Sequence, residues 1–145
     1  MKKWFRILVA LAVVGVLAAA LLYKFYINKP HADIEKAKPA YMFVVGDLWH
    51  KYNSNLKTAD SLYNGQVIQL TGKLGRAEQN DSTVVAVFIM EEDSLFGDKS
   101  IRCEMLPKYN AEIKSLTAGK LITVKGYCNG YDLTDIKLSK CSVVK

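Results

Sequence analysis

Two periodicities and one unbroken apolar run organise the chain. The run is Ile7 to Tyr23, which no charged residue interrupts, with Lys2, Lys3 and Arg6 before it and Lys24 after it. A bilayer span needs about 20 mostly apolar residues. Trp4 to Ile27 supplies that length if Arg6 and Lys24 extend their stems toward the two interfaces. Trp4, Tyr23 and Tyr26 then stand as interfacial anchors, and three cations ahead of the run against one behind place the N-terminus in the cytoplasm and the rest outside. A cleaved signal peptide is the alternative: Ala18-Ala19-Ala20 offers small residues, but Leu21, Leu22, Tyr23, Phe25 and Tyr26 make a poor start for a mature chain. The expectation is an anchor over 1–27 and a polar linker over 28–40, where Pro30 and Pro39 stand without an apolar period.

Helical spacing comes next. Val45, Leu48, Trp49 and Tyr52 share one face; after Asn53-Ser54-Asn55 so do Leu56, Ala59, Leu62 and Tyr63, and Asn64-Gly65 ends the second helix. Trp49 and Tyr52 are read as staples that hold this lead-in to the domain, because they lie on the face of Val45 and Leu48.

Beyond Gly65 the period falls to two. Ile68, Leu70, Gly72 and Leu74 alternate with Val67, Gln69, Thr71 and Lys73, as in a strand with one wet face. Arg76 to Ser82 reads as a polar turn, Thr83 to Met90 as a continuously apolar central strand, and Glu91 to Lys99 as an acidic loop. Ile101, Cys103 and Met105 alternate inward; a helix around Lys108 to Leu116 follows, introduced by Pro107 and closed at Gly119-Lys120. Ile122, Val124, Gly126 and Cys128 give a fourth strand. Asn129 to Asp132 turns into a fifth, Asp135 to Val144, whose alternation slips between Leu138 and Cys141 as at a β-bulge. Three strands, a helix and two strands describe a mainly β fold: a five-stranded oligonucleotide/oligosaccharide-binding (OB)-type Greek-key barrel over 41–145, its helix between strands 3 and 4. A five-stranded α+β sheet with helices on one face is the alternative.

Length and charge narrow the function. At 145 residues the chain holds one ordinary domain. The formal charge of +6 shrinks once the four cations of the anchor are removed, leaving 16 Lys and Arg against 14 Asp and Glu in residues 28–145. That mixed surface argues against a strong phosphate footprint.

Further residues carry a resemblance. Gly46-Asp47-Leu48-Trp49 through Tyr52, Asn55, Ala59, Asp60 and Tyr63-Asn64-Gly65-Gln66-Val67 into Leu70-Thr71-Gly72 is similar to the opening of the tRNA_anti-like family of small OB-fold proteins in Bacteroidetes-type bacteria. Val124-Lys125-Gly126-Tyr127-Cys128-Asn129-Gly130-Tyr131, then Asp135-Ile136-Lys137-Leu138 and Cys141, resembles that family's closing hairpin, and Asn28-Lys29-Pro30-His31 resembles its linker. The resemblance implies an OB fold and an envelope location. It does not imply tRNA binding.

Candidate chemistry is sparse. Binding of single strands on an OB face needs aromatic platforms and a basic groove; Arg76, Phe88, Arg102, Lys125 and Tyr127 are the outward candidates, and ordinary barrel surface accounts for the same residues. Cys128 and Cys141, on the last two strands of an exported chain, are expected to pair as a disulfide and leave Cys103 reduced in the core, three unpaired thiols being the alternative. His31 and His50 lack partners at ligand spacing, and the Glu91-Glu92-Asp93 loop with Asp98 has no EF-hand spacing, so no metal and no cofactor are expected. Cys103 beside Arg102 points inward and no triad is completed, so no catalytic residue is assigned. The reading is a non-enzymatic, membrane-anchored OB module facing the periplasm or exterior. It binds a protein, peptide or glycan through its strand-two and strand-three face, with single-stranded nucleic acid as the less expected alternative partner.

Overall fold

The computed structural model describes residues 2–24, 33–92, 95 and 97–145. Tyr26, the Asn28 to His31 segment and Asp93, all used in the sequence reading, lie outside the described residues. The chain divides into two compact units, Met1–Ala32 and Asp33–Lys145. The first is helix α1, Lys2–Leu22, long and apolar enough to cross a membrane and with no buried residue. From Ile7 onward the helix is apolar all round, as in a membrane anchor or a signal sequence.

The second unit opens with β1 (Tyr41–Val44), α2 (Val45–Ser54) and α3 (Leu56–Tyr63). Asn55 both ends α2 and caps α3, its side-chain oxygen accepting the Thr58 N–H at 3.1 Å. The apolar stripe of α2 is buried, Leu48 at 0%, Trp49 at 5% and Tyr52 at 2% exposure, so both aromatic residues staple the lead-in to the sheet core as their spacing indicated. Gly65, at φ +77°, turns the chain out of α3 at the position the Asn64-Gly65 pair marked.

The sheet follows: β2 (Val67–Lys73), β3 (Arg76–Asn80), β4 (Thr83–Glu91), β5 (Lys99–Met105), then a 3-10 turn (Pro107–Tyr109) and α4 (Asn110–Ser115), then β6 (Leu121–Asp132) and β7 (Asp135–Val143). It is an open sheet of seven strands in the order β1-β2-β6-β7-β5-β4-β3, which corrects the five-stranded barrel expected from the sequence. The five strands read from the sequence are all present, and the helix lies between β5 and β6. The two additional strands are β1, parallel to β2, and β3, antiparallel to β4. The stretch read as a polar turn is therefore mostly strand, and the turn itself is Asp81-Ser82.

The sheet curls in an OB-like way because two residues, Leu74 and Gly75, link its second strand to its last. Leu74 N–H donates to Lys120 O at 2.9 Å on one side, and Gly75 N–H donates to Val87 O at 2.9 Å on the other. A Cβ on Gly75 would lie 2.8 Å from an Ile89 side-chain carbon and 3.0 Å from Val87 O, so this bend admits no side chain. Inside the curl sit Ile68, Leu70, Phe88, Ile101, Val124 and Leu138, all at 0–1% exposure, and Ile113 of α4 joins them. Each such side chain contributes about 1.5–3 kcal/mol by leaving water. Asn110 ties α4 to the β3–β4 turn, its amide donating to Ser82 O at 2.9 Å and its oxygen accepting Val84 N–H at 3.3 Å. The bulge expected in the last strand is present: Cys103 pairs with Leu138 but Met105 pairs with Cys141, one residue too many on β7, and Lys140 takes φ +53°.

Candidate functional site

Outward positions of four strands line up across the sheet. Glu78, Val85 and Glu104 form one row, and Arg76, Val87, Arg102 and Lys137 form the next. Between and beside them lies a groove of about 510 Å³, lined by Glu78, Gln79 and Asn80 of β3, Val85 of β4, Arg102 and Glu104 of β5, Asn129 of β6, and Lys137 and Leu138 of β7. The face is polar, and no aromatic ring among the described residues lines it.

Its charges are mostly spent on one another. Glu78 accepts from Arg76 at 2.6 Å and also pairs with Arg102; Arg76 reaches Asp98 at 2.7 Å, and Lys137 reaches Asp132 at 2.5 Å. Partial burial opposes ionisation of Glu78, but the hydrogen bonds from Arg76 and Arg102 outweigh it and hold the carboxyl below its ordinary range. Asp98 and Glu78 hold the Arg76 guanidinium more firmly protonated than usual. Among the described residues Glu104 has no ion pair, and the four charges lining the groove cancel: Arg102 and Lys137 against Glu78 and Glu104.

Of the five candidates from sequence, the groove takes Arg102 directly and is bordered by Arg76. Tyr127 is half-buried on β6, opposite Val67 and Ser139, and does not line it. Phe88 is a correction. On β4 the inward phase is Val84, Ala86, Phe88, so its ring is 0% exposed and packs in the core opposite Ile101. Lys125 is a second correction. It does point to the outer side, but it is 8% exposed because the Asp33–Ala37 segment lies over it, and its ammonium donates to Glu35 O at 3.0 Å and Ala37 O at 2.8 Å. Lys108 at 2.5 Å and the Tyr109 hydroxyl hold the Glu35 carboxylate, lowering its pKa. Part of what composition reads as a spacer is thus strapped to the sheet.

The cysteine pairing is the third correction: Cys103, Cys128 and Cys141 are all free and buried. The β6–β7 register sets Cys128 opposite Leu138, three residues short of Cys141. Cys128 meets the Tyr52 hydroxyl at 3.4 Å, while Cys141 lies beside Cys103 and under Gly126. Burial pushes the thiols of Cys128 and Cys141 up in pKa, which keeps them protonated and unreactive. Among the described residues no group of three or more His, Cys, Asp or Glu is placed to hold a metal ion.

Sequence reasoning missed Glu78, Gln79, Asn80, Asn129 and Lys137 as groove residues. Lys137 alone had a usable signal, its outward phase between Ile136 and Leu138; the β3 residues had none, because Arg76 to Asn80 contains no apolar period.

No curated protein matches the chain. Among solved structures, a candidate nucleic acid-binding lipoprotein from Klebsiella pneumoniae subsp. pneumoniae is similar with a TM-score of 0.54 and 20% identity, over 81% of this chain and 100% of that one. A candidate aspartyl-tRNA synthetase from Leishmania major Friedlin is similar with a TM-score of 0.48 and 10% identity, over 74% of this chain and 21% of that one. At 20% identity the likeness to the Klebsiella structure concerns fold. The sequence profile of the tRNA_anti-like family matches residues 1–143, nearly the whole chain, and the protein belongs to that family.

Proposed function

We propose that this protein is a membrane-tethered, non-enzymatic binding module with an OB-like domain, its N-terminus cytoplasmic and its domain on the far side of the bilayer. The groove on β3, β4, β5 and β7 takes a polar segment of an envelope protein, peptide or glycan. The observation that carries this reading is the groove itself: roomy, rich in hydrogen-bonding groups, and, among the described residues, balanced in charge and without an aromatic lining. Such a face suits a ligand recognised by directional polar contacts, and gives poor purchase on a polyanion that needs stacking platforms and a basic track.

A second reading is single-stranded nucleic acid. The Klebsiella structure is named for nucleic-acid binding, which runs against the expectation that nucleic acid is an unlikely partner. Two observations weigh on the other side: Phe88, the candidate stacking platform on the strand-two face, is in the core, and Lys125 is covered. Titrating the protein with fluorescent single-stranded oligonucleotides across a salt series separates the two. The first reading expects no binding at low salt. Affinity that falls steeply with rising salt, and falls further in Arg102→Ala, would transfer the groove to nucleic acid.

A further inference from the structure

Away from the groove, the turn between β6 and β7 is built in a way that the fold does not require. Asp132 pairs with Asp135, so the hairpin turns on Leu133 and Thr134 alone. Leu133 takes φ +46°, the left-handed region where a two-residue hairpin ordinarily carries glycine or asparagine, and its side chain is 88% exposed. A leucine there strains the backbone and buries nothing.

The surroundings nevertheless hold it in place. The Tyr131 hydroxyl donates to Leu133 O at 2.7 Å, and the Tyr131 ring packs 6.2 Å from Trp49 and 6.2 Å from Tyr52. Ser100 donates from its backbone N–H to Thr134 O at 3.4 Å and from its hydroxyl to Asp135 at 2.5 Å. Strain that neighbouring groups over-determine in this way points outward, to something the side chain meets.

A second exposed leucine stands at the same end of the sheet. Ser100 pairs with Asp135, so the start of β5 lies beside the hairpin, and Leu95, a few residues ahead of it, is 83% exposed. Among the described residues this end holds Asp98 paired with Arg76, Glu91 with Lys99 and Asp132 with Lys137, together with Glu92 and Asp135, five carboxylates against three cations. The rim is net acidic.

We propose that the Leu133 hairpin tip is a preorganised apolar knob, aided by Leu95, that docks into an apolar pocket with a Lys/Arg rim on a partner protein. Charge decides between a protein and the bilayer surface, since an acidic rim is repelled by anionic lipid and attracted by a basic one. This surface meets the groove at Arg76 and Lys137, but the knob itself is Leu133, outside the groove lining, so the proposal stands or falls without ligand binding there.

The test uses the full-length chain in nanodiscs of uncharged lipid. The probe is a fluorescent amphipathic helical peptide of leucine and lysine, about five turns long, read by anisotropy against empty nanodiscs. Leu133→Gly is expected to weaken binding about tenfold or more, the effect of removing one buried leucine. It is also expected to melt no lower than the parent, because glycine accepts φ +46° freely, so the loss is not unfolding. Leu133→Met retains binding, and so does Leu121→Ser, which removes an exposed leucine at the far end of β6. Undiminished binding in Leu133→Gly overturns the proposal. So does a polarity-sensitive dye on Leu133→Cys that reports lipid contact before any peptide is added, which would assign the tip to the bilayer.

Discussion

The sheet offers cations on two outer faces, and the chain treats them in opposite ways. On the β2–β6 side Lys125 is sealed beneath the chain's own Asp33–Ala37 strap, its ammonium satisfied by two backbone carbonyls. On the β3–β4–β5–β7 side Arg102 and Lys137 are ion-paired with neighbours yet remain open to a groove. The difference teaches that alternation tells which side of a strand a residue takes, while availability is decided by segments far away in sequence. A lysine over which the chain folds is structure; one beside a groove can serve a ligand.

Substitutions can sharpen that contrast. The largest effect belongs to neither outer face. Phe88→Ala opens a cavity behind the groove strand and should cost about 3–5 kcal/mol in urea unfolding, whereas Arg102→Ala, on the next strand but outward, should change stability by about 1 kcal/mol or less. Equal effects would mean that β4 and β5 do not divide into a core phase and a groove phase. Lys125→Met comes next. It leaves the Glu35 and Ala37 carbonyls without their donor, at a cost of about 1–3 kcal/mol, and should make the 33–39 strap more readily cut by protease while groove substitutions leave the strap protected.

The smallest effect is a pH dependence. Glu78 is held below its ordinary pKa in the folded state, so its pairing with Arg76 and Arg102 stabilises the fold above the ordinary carboxylate range. That contribution fades as pH falls through the ordinary range to the lowered folded value. Urea midpoints of the parent and Glu78→Gln should therefore differ at neutral pH and converge in acid. An equal difference at both pH values would remove the ion-pair explanation.

How far this was legible in the sequence follows from the same physics. Strands β2, β5, β6 and β7 each have one buried and one wet face, and their alternation showed it, down to the slip at Leu138–Cys141. Thr83 to Met90 was legible as a strand but not in phase, since apolar residues occupy both of its faces; Phe88 was consequently set on the wrong side. Strand β3 left no mark because none of its side chains is buried and pairing with β4 alone makes it a strand. At four residues, β1 is too short for a period, though Tyr41 and Phe43 do face inward onto Tyr63. The cysteine pairing failed on register: proximity in sequence across one hairpin does not place two thiols opposite each other when the strands carry bulges at Gly130 and Lys140.

The central claim is that the β3–β4–β5–β7 face, and not the strapped β2–β6 face, receives the ligand. Site-specific photo-crosslinking in native membranes tests it with a matched pair of half-buried outward positions, Val85 in the groove and Gln69 on β2. The account predicts adducts from position 85 that Arg102→Ala diminishes, and none from position 69. Adducts from position 69 alone would contradict it.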